Sequence, residues 1–340
     1  MGENIVISQT LKGKNIVLVC PDFYGYENEI REVLQRCGAK VTTIIENIEW
    51  TSLFFQIVFR FFPEKKESAV KRYYLRKLNG VIQKCDYFFV IRGSSLNPDI
   101  MEYAKQEAPS GCRFIMYQWD SVSRDARLKN VTSYFDSVAT FDPVDAEKYG
   151  WHYRPLFFID KYIQRKPERI YDILYICSAH SKRVQVLQKL KKTAADRNLK
   201  IKAILHMSIP MYLKHKYTPK GISDLERMPI MRKDVTLRAI NLKKCYELYS
   251  DAKIVVDYTH PLQTGLTMRT IESLGNGCKL ITNNRRIEEA DFYDERNILV
   301  YDDCDLEIPE SFLQEPFIPV TEEIYDKYSI EFWVLELLSE

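Results

Sequence analysis

Apolar runs of strand length alternate with stretches of helical spacing along the first half of the chain. The run NIVLVCP, from Asn15 to Pro21, is continuous and apolar, and ENEIREVLQRCG has helical spacing before its glycine. Three more strands are predicted in KVTTII, DYFFVIRG and RFIMYQWD, and helices in SAVKRYYLRKLNGVIQKC and NPDIMEYAKQEA, the latter capped by Asn97. Because apolar strands that alternate with helices form parallel sheets with both faces covered, this pattern predicts an α/β fold.

A second alternating series follows the polar stretch FFIDKYIQRKPERI, which is typical of a linker. Strands are predicted in YDILYIC, KIKAIL, KIVVDY, KLITN and NILVYDD, with helices in SKRVQVLQKLKKTAADRN, LRAINLKKCYELYSD and the final VTEEIYDKYSIEFWVLELLSE. We therefore predict a first domain at residues 1–160, a second at 161–320, and a C-terminal helix at 321–340 that packs back across the junction. In two doubly wound domains, ligands are expected at the carboxyl ends of the strands, facing the gap between the domains.

Charge and cysteine content narrow the class of protein. The 49 Lys and Arg residues nearly balance 47 Asp and Glu residues, so no overall field draws the chain to nucleic acid. Eight cysteines are scattered singly without a C-x-x-C pair, which predicts no metal site and a reduced, cytoplasmic environment. We expect no export signal, and no apolar run approaches the ~20 residues of a membrane-spanning helix.

The stretch after the strand KIVVDY, THPLQTGLTMRTIESLGNG, contains the most informative motif. A helix is predicted to begin near Leu266 or Thr267, with Met268, Ile271 and Leu274 on one face. This spacing is typical of a face that packs on a hydrophobic core.

The other face of this helix has the residue types of a nucleotide site. Gly265 allows a ligand to approach the backbone, Thr264 and Thr267 offer hydroxyls, and the free amides of the first turn suit a phosphate. Glu272, two turns in, suits ribose hydroxyls. The alternative is structural: a threonine that caps the helix, and an exposed ion pair between Arg269 and Glu272.

The residues from about Cys245 to Asp303 resemble the C-terminal domain of group-1-type glycosyltransferases of the spore-maturation-protein-B-like branch. Gly265, Arg269, Glu272 and Gly277 fall on that family's G-x-x-x-R-x-x-E-x-x-x-x-G segment. The resemblance implies the GT-B architecture, with two Rossmann-like domains facing a cleft. It also implies a nucleotide-sugar donor held by the C-terminal domain, an acceptor held by the N-terminal one, and neither a metal nor a further cofactor.

One position departs from the pattern of retaining members, where two glutamates stand eight residues apart. Glu272 matches the second glutamate, but Thr264 occupies the first position, so ribose binding carries over while the stereochemical outcome stays open. His260 and Pro261 raise the alternative of a CMP-sugar, or of a simple kink in the loop. Gln263 is a further candidate for contact with the donor.

The loop CSAHSKR follows the first strand of the second domain. Ser178, His180, Lys182 and Arg183 lie there, and in the resembled fold this loop faces the donor's diphosphate. Cations at this place would neutralise the leaving group. The alternative is an ordinary basic helix start, although helix starts are usually acidic.

Two carboxylates of the first domain are candidate catalytic bases. Asp22 follows the first strand, and Asp120 follows the fourth, beside Trp119, whose indole suits stacking on a sugar ring. Asp120 is preferred. Either residue is also a common helix cap.

The stretch from Ser52 to Lys77 joins phenylalanine-rich sequence to a basic run, which suits a peripheral membrane contact. The alternative is a buried helix beside a solvated basic one. The expected contact residues are Phe54, Phe55, Phe59, Phe62, Lys65, Lys66 and Arg72.

Together these observations predict a cytoplasmic glycosyltransferase, peripheral at the inner face of the cell membrane. It would move a sugar from a nucleotide-sugar to a cell-surface glycan or lipid-linked acceptor, as in polysaccharide, capsule or lipopolysaccharide biosynthesis. Two alternatives remain: a nucleotide-sugar epimerase on the same fold, and a non-catalytic glycan- or nucleotide-binding assembly protein.

Overall fold

The computed structural model describes residues 10–46, 62–179, 182–209, 212–213, 217, 234–260, 262–302 and 306–339. Two compact units divide the chain. The first comprises Met1–Pro155, Leu262–Gly265 and Ile330–Glu340, and the second comprises Leu156–Pro261 and Leu266–Ser329. These two units are a division of the chain by compactness, and the predicted domain limits at residues 160 and 320 stay predictions.

The first unit contains a parallel sheet of six strands in the order β2-β1-β3-β4-β5-β6, counted over the described residues. Its strands are β1 (Asn15–Cys20), β2 (Lys40–Ile45), β3 (Tyr87–Ile91), β4 (Arg113–Gln118), β5 (Ser137–Thr140) and β6 (His152–Tyr153). Its helices are α1 (Tyr26–Arg36), α2 (Pro63–Leu78), α3 (Pro98–Glu107) and α4 (Pro143–Tyr149). The last helix of the chain, α10 (Ile330–Ser339), also belongs to this unit.

The second unit has the same construction. Over the described residues, six parallel strands lie in the order β12-β11-β10-β7-β8-β9. The strands are β7 (Tyr171–Ser178), β8 (Ile201–His206), β9 (Val235–Thr236), β10 (Ala252–Asp257), β11 (Lys279–Thr282) and β12 (Ile298–Val300). The helices are α5 (Arg183–Asp196), α6 (Leu242–Ser250), α7 (Met268–Gly275), α8 (Glu310–Gln314) and α9 (Glu322–Lys327).

Buried strands with helices on both faces explain the continuous apolar runs in the sequence. In β1, the five residues after Asn15 are buried, and in β3 the four residues after Tyr87 are buried. A parallel sheet has no solvent face, so its central strands need no alternation of polar residues. The predicted α/β class with a parallel sheet in each half is confirmed.

The C-terminal stretch, expected to form one helix, forms two. α9 ends at Lys327, and Tyr328 and Ser329 separate it from α10. In α10 the buried Trp333 lies with its ring centroid 4.7 Å from that of Tyr117 on β4, so this helix packs on the sheet of the first unit.

Candidate functional site

In the sheet of the second unit, the order in which the chain adds strands reverses between the neighbouring strands β7 and β10. The chain builds outward through β7, β8 and β9, then returns to place β10 beside β7 and continues to the other edge. Loops leaving the carboxyl ends of two such neighbouring strands diverge to opposite faces of the sheet, and the crevice between them is the usual ligand site of an open α/β sheet. Arg183 follows β7 and Asp257 ends β10.

Asp257 organises the carboxyl end of β10. Its side chain is fully buried and forms an ion pair with Arg269 on α7. It also accepts hydrogen bonds from Thr267 Oγ1 at 2.7 Å and from Thr270 Oγ1 at 3.3 Å. Burial acts to lower the pKa of Arg269, but the Asp257 carboxylate, together with the weaker effects of Tyr249, Cys177 and Tyr175, raises that pKa above its usual range. This network fixes the start of α7 against β10.

Arg183 adds a second guanidinium group at the same edge. Its Nη2 donates to the carbonyl oxygen of Tyr258 at 3.0 Å, and its own carbonyl accepts from Tyr175 Oη at 3.1 Å. Burial, followed by the nearby charge of Arg269, lowers the pKa of Arg183. Because an arginine stays charged near neutral pH even after such a shift, Arg183, Arg269 and Asp257 together carry one positive charge in excess. This arrangement suits an anionic group.

Two other residues of the CSAHSKR loop, Ser178 and Lys182, lie at the end of β7 and at the start of α5. Ser178 is half-buried at the end of β7, and Lys182 is an exposed residue at the N-cap of α5. His180 lies outside the described residues. Their expected contacts with a diphosphate stay predictions.

Glu272 lies in the interior of the second unit. Its side chain is buried, at 3% exposure, and its Oε2 accepts a hydrogen bond from Tyr249 Oη at 2.9 Å. Burial, with the Glu272 charge, raises the pKa of Tyr249 well above its usual value, which keeps this phenol protonated as a donor. The alternative of an exposed ion pair between Arg269 and Glu272 is wrong, because Arg269 pairs with Asp257 instead. Ribose binding by Glu272 stays a prediction.

Thr267 has the capping role that was one of the alternatives. It is the N-cap of α7 and accepts a hydrogen bond from the amide of Thr270 at 3.3 Å, while its hydroxyl donates to Asp257. On the same helix, Ile271 and Leu274 are buried, as the core face predicts, and Met268 is half-buried.

Thr264 and Gly265 belong to the first unit and contact its residues. The amide of Thr264 donates to Asp142 Oδ2 at 3.1 Å, and its hydroxyl bonds to the other oxygen of the same carboxylate. A Cβ on Gly265 would lie 2.5 Å from the carbonyl oxygen of Phe141. A glycine is therefore required here by packing on Phe141, without any need for a ligand. His260 and Gln263 are half-buried, and their contact with a donor stays a prediction.

Asp120 lies just beyond β4 in the first unit and is half-buried. Arg124 Nη1 lies 3.2 Å from its Oδ1, and Arg92 Nε lies 3.4 Å from its Oδ2. Burial raises the pKa of Asp120, against the opposing effect of the two arginines. A raised pKa makes a carboxylate a stronger base, which is consistent with the expected role of general base. The competing candidate, Asp22, is exposed in the loop after β1.

The expected membrane segment falls partly outside the described residues, which leaves Phe54, Phe55 and Phe59 without a structural account. Phe62 is 46% exposed, and the Lys65 ammonium lies 4.5 Å from the centre of its ring. Lys65, Lys66 and Arg72 are exposed along α2. A solvated basic helix with an exposed phenylalanine at its start is present, and membrane contact stays a prediction.

No protein-family profile and no curated protein sequence matches the chain. Sucrose-phosphate synthase from Thermosynechococcus elongatus superposes with a TM-score of 0.56 at 12% identity, over 96% of this chain and 98% of that chain. The catalytic domain of starch synthase IV from Arabidopsis thaliana, solved with ADP and acarbose, superposes with a TM-score of 0.54 at 9% identity, over 97% of this chain and 96% of that chain.

The chain has the GT-B fold. At these identities the likeness establishes the GT-B architecture alone, so the chemistry has to be argued from the residues of this chain. Over its described residues, this GT-B chain contains no group of three or more His, Cys, Asp or Glu residues that could hold a metal ion. Among the same described residues, no helix has the length and apolar character that crossing a membrane requires.

Proposed function

We propose that the chain is a group-1-type glycosyltransferase that moves a sugar from a nucleotide-sugar donor to a glycan or lipid-linked acceptor. The observation that carries the proposal is the excess positive charge at the β7 and β10 carboxyl ends, where Arg183 lies beside the Arg269–Asp257 pair. The loop sequence before α5 and the family resemblance around α7 support the same site.

Transfer of a glycosyl group creates negative charge on the departing nucleotide phosphate. Preorganised cations at the phosphate stabilise that charge and speed bond cleavage. Arg183 and the N-terminal amides of α5 are proposed to stabilise that charge without a bound metal. Glu272 is proposed for ribose, and Ser178, His180, Lys182, His260 and Gln263 for the remainder of the donor.

Asp120 is proposed as the base of an inverting transfer. Its carboxylate takes the proton of the acceptor hydroxyl, the hydroxyl oxygen forms a bond to the anomeric carbon, and the bond from that carbon to the phosphate oxygen breaks. The raised pKa of Asp120 supports this assignment.

Membrane contact is proposed through α2 and Phe62. The exposed Lys65, Lys66 and Arg72 suit anionic headgroups, and the exposed ring of Phe62 suits the interface. Such a contact would place the active site near a lipid-linked acceptor.

Nucleotide binding tests the donor site directly. Thermal unfolding of the wild type is measured with UDP, GDP, dTDP, ADP and CMP, and we expect one of them to stabilise the protein by about 2.7 kcal/mol at a hundred times its Kd. Arg183→Ala removes the phosphate contact and should abolish most of this stabilisation. Lys192→Ala, an exposed cation on the same helix, is the matched control and should bind normally.

Two results would contradict the donor site. The first is that none of the five nucleotides stabilises the wild type. The second is that Arg183→Ala and Lys192→Ala respond equally to the bound nucleotide.

A further inference from the structure

Two cysteines lie together at the amino edge of the first sheet, where its parallel strands begin. Cys85 comes two residues before β3, and Cys112 comes directly before β4. The two strands are neighbours, and their pairing starts with Tyr87 beside Arg113. The amide of Arg113 donates to the carbonyl oxygen of Asp86 at 2.9 Å, so the backbones are already joined just before the strands. The segments that carry the two cysteines are therefore adjacent.

The spacing of the two cysteines suits a disulfide. Extending the strand register by one pair places Cys112 beside Asp86, one residue from Cys85. Neighbouring strands lie about 4.8 Å apart and each residue advances the chain by about 3.3 Å, so these two Cα atoms stand about 6 Å apart. Disulfides usually join Cα atoms about 4.4–6.8 Å apart. Both side chains also share one apolar cluster of the first unit, in which Cys85 is buried and against which Cys112 packs.

The two thiols are in hydrogen-bond contact and differ in character. The hydrogen bond from Cys85 has the strongest influence on Cys112 and lowers its pKa. The Phe88 amide and the charge of Lys105 add to this lowering, while burial and Asp86 oppose it. The same hydrogen bond, followed by burial, raises the pKa of Cys85. Cys112 is half-buried and Cys85 is 2% exposed, so Cys112 is the thiol that ionises and meets solvent.

We infer that Cys85 and Cys112 form a reversible intramolecular disulfide when hydrogen peroxide oxidises the protein. The Cys112 thiolate attacks one oxygen of the peroxide, an S–O bond forms, the O–O bond breaks, and the departing hydroxide takes up the proton that the thiol had lost. The Cys85 sulfur then attacks the Cys112 sulfur, an S–S bond forms, and the S–O bond breaks. The second hydroxide leaves as water with the Cys85 proton. Two thiols are oxidised, and one peroxide is reduced to two water molecules.

Cys245 provides a matched comparison within the chain. It is half-buried like Cys112. Burial, followed by the charge of Glu272, raises the pKa of Cys245 to about 12 against the opposing effect of Arg269. A thiol that stays protonated at neutral pH reacts slowly with peroxide, so Cys245 should stay reduced under conditions that oxidise Cys112.

Peptide mapping of the full chain tests the disulfide. The reduced protein is treated with hydrogen peroxide, its remaining thiols are blocked with N-ethylmaleimide, and the digest is analysed by mass spectrometry without reductant. We expect one linked pair, Cys85 with Cys112, which dithiothreitol removes. The same treatment in urea should give a mixture of linkages, because the unfolded chain no longer holds these two thiols together.

Single substitutions separate the roles of the two thiols. In Cys85→Ser, oxidation should stop at the sulfenic acid of Cys112, which dimedone labels. In Cys112→Ser, dimedone labelling of Cys85 should be about tenfold weaker, because that thiol is buried and protonated. Cys245→Ser is the control and should form the linkage as the wild type does.

The wild-type map needs no substitution, so a variant that fails to fold leaves the test intact. Absence of a linkage between Cys85 and Cys112 in the native protein overturns the inference. A native linkage between two other cysteines in its place, or the same mixture from native and unfolded protein, overturns it as well. The site lies at the edge opposite Asp120 and does not rest on the proposed function.

Discussion

At the scale of single residues, the buried hydrogen bond between Glu272 and Tyr249 gives the motif helix a structural requirement. The two side chains come from α7 and α6, and both are buried. Removing the acceptor leaves a buried phenol hydroxyl without the hydrogen bond shown here, and such a loss costs about 1–3 kcal/mol.

Glu272→Ala should therefore lower the free energy of unfolding by about 1–3 kcal/mol in denaturant titration. Glu147→Ala, an exposed glutamate of α4, is the control and should change it by less than about 0.5 kcal/mol. An equal effect of the two substitutions would contradict the burial of Glu272. Nucleotide affinity of the Glu272→Ala protein then decides the ribose role, since a several-fold loss supports it.

The pairing of Arg269 shows what local spacing leaves undetermined. Spacing offered Glu272, three residues away on the same helix, whereas the structure supplies Asp257, twelve residues away at the end of the preceding strand. Only the packing of α7 on β10 brings these two together. The sequence did contain a signal for this pairing, because Asp257 is an acidic residue at the end of an aliphatic strand. Asp142 and Glu46 likewise lie just after the ends of β5 and β2.

At the scale of elements, the strands that were predicted include those with continuous buried apolar runs, such as β1, β3 and β11. The strands that were missed are short and lie toward sheet edges: β5 has four residues, and β6 and β9 have two each. Such strands are held by the sheet they extend, so their own sequence has little pattern to detect. The stretch FFIDKYIQRKPERI was predicted to be a linker because its second half is polar. Its first two residues, Phe157 and Phe158, are instead fully buried.

The basic helix α2 gives a prediction at the same scale. The full chain should float with anionic vesicles at low salt and should be released as salt rises, because the attraction is electrostatic and screened. The triple substitution of Lys65, Lys66 and Arg72 to Ala should abolish flotation. A control triple at the exposed Lys192, Lys200 and Lys243 removes the same charge elsewhere and should still float. Wild-type protein that stays at the bottom at low salt would contradict the membrane contact.

At the scale of the whole molecule, the GT-B fold is present with almost no shared sequence. The sucrose-phosphate synthase and starch synthase structures share 12% and 9% identity with the chain while covering nearly all of it. Alternation of buried strands and helices is enough to specify two parallel sheets, and many sequences satisfy it. A functional site depends instead on a few side chains at strand ends. The hydrophobic pattern therefore predicted the α/β class with parallel sheets, the family resemblance implied the GT-B architecture, and the site could be predicted only in part.

The central claim is transfer of a sugar, and release of nucleotide from a nucleotide-sugar in the presence of an acceptor measures it most directly. Sugar conjugates of UDP, GDP, dTDP, ADP and CMP are incubated with the protein, with and without a panel of methyl and octyl pyranosides. We predict release from one donor that depends on an acceptor and is lost in Asp120→Asn, whose fold should be unchanged. No release from any donor, or release that is equal without acceptor, would contradict the account.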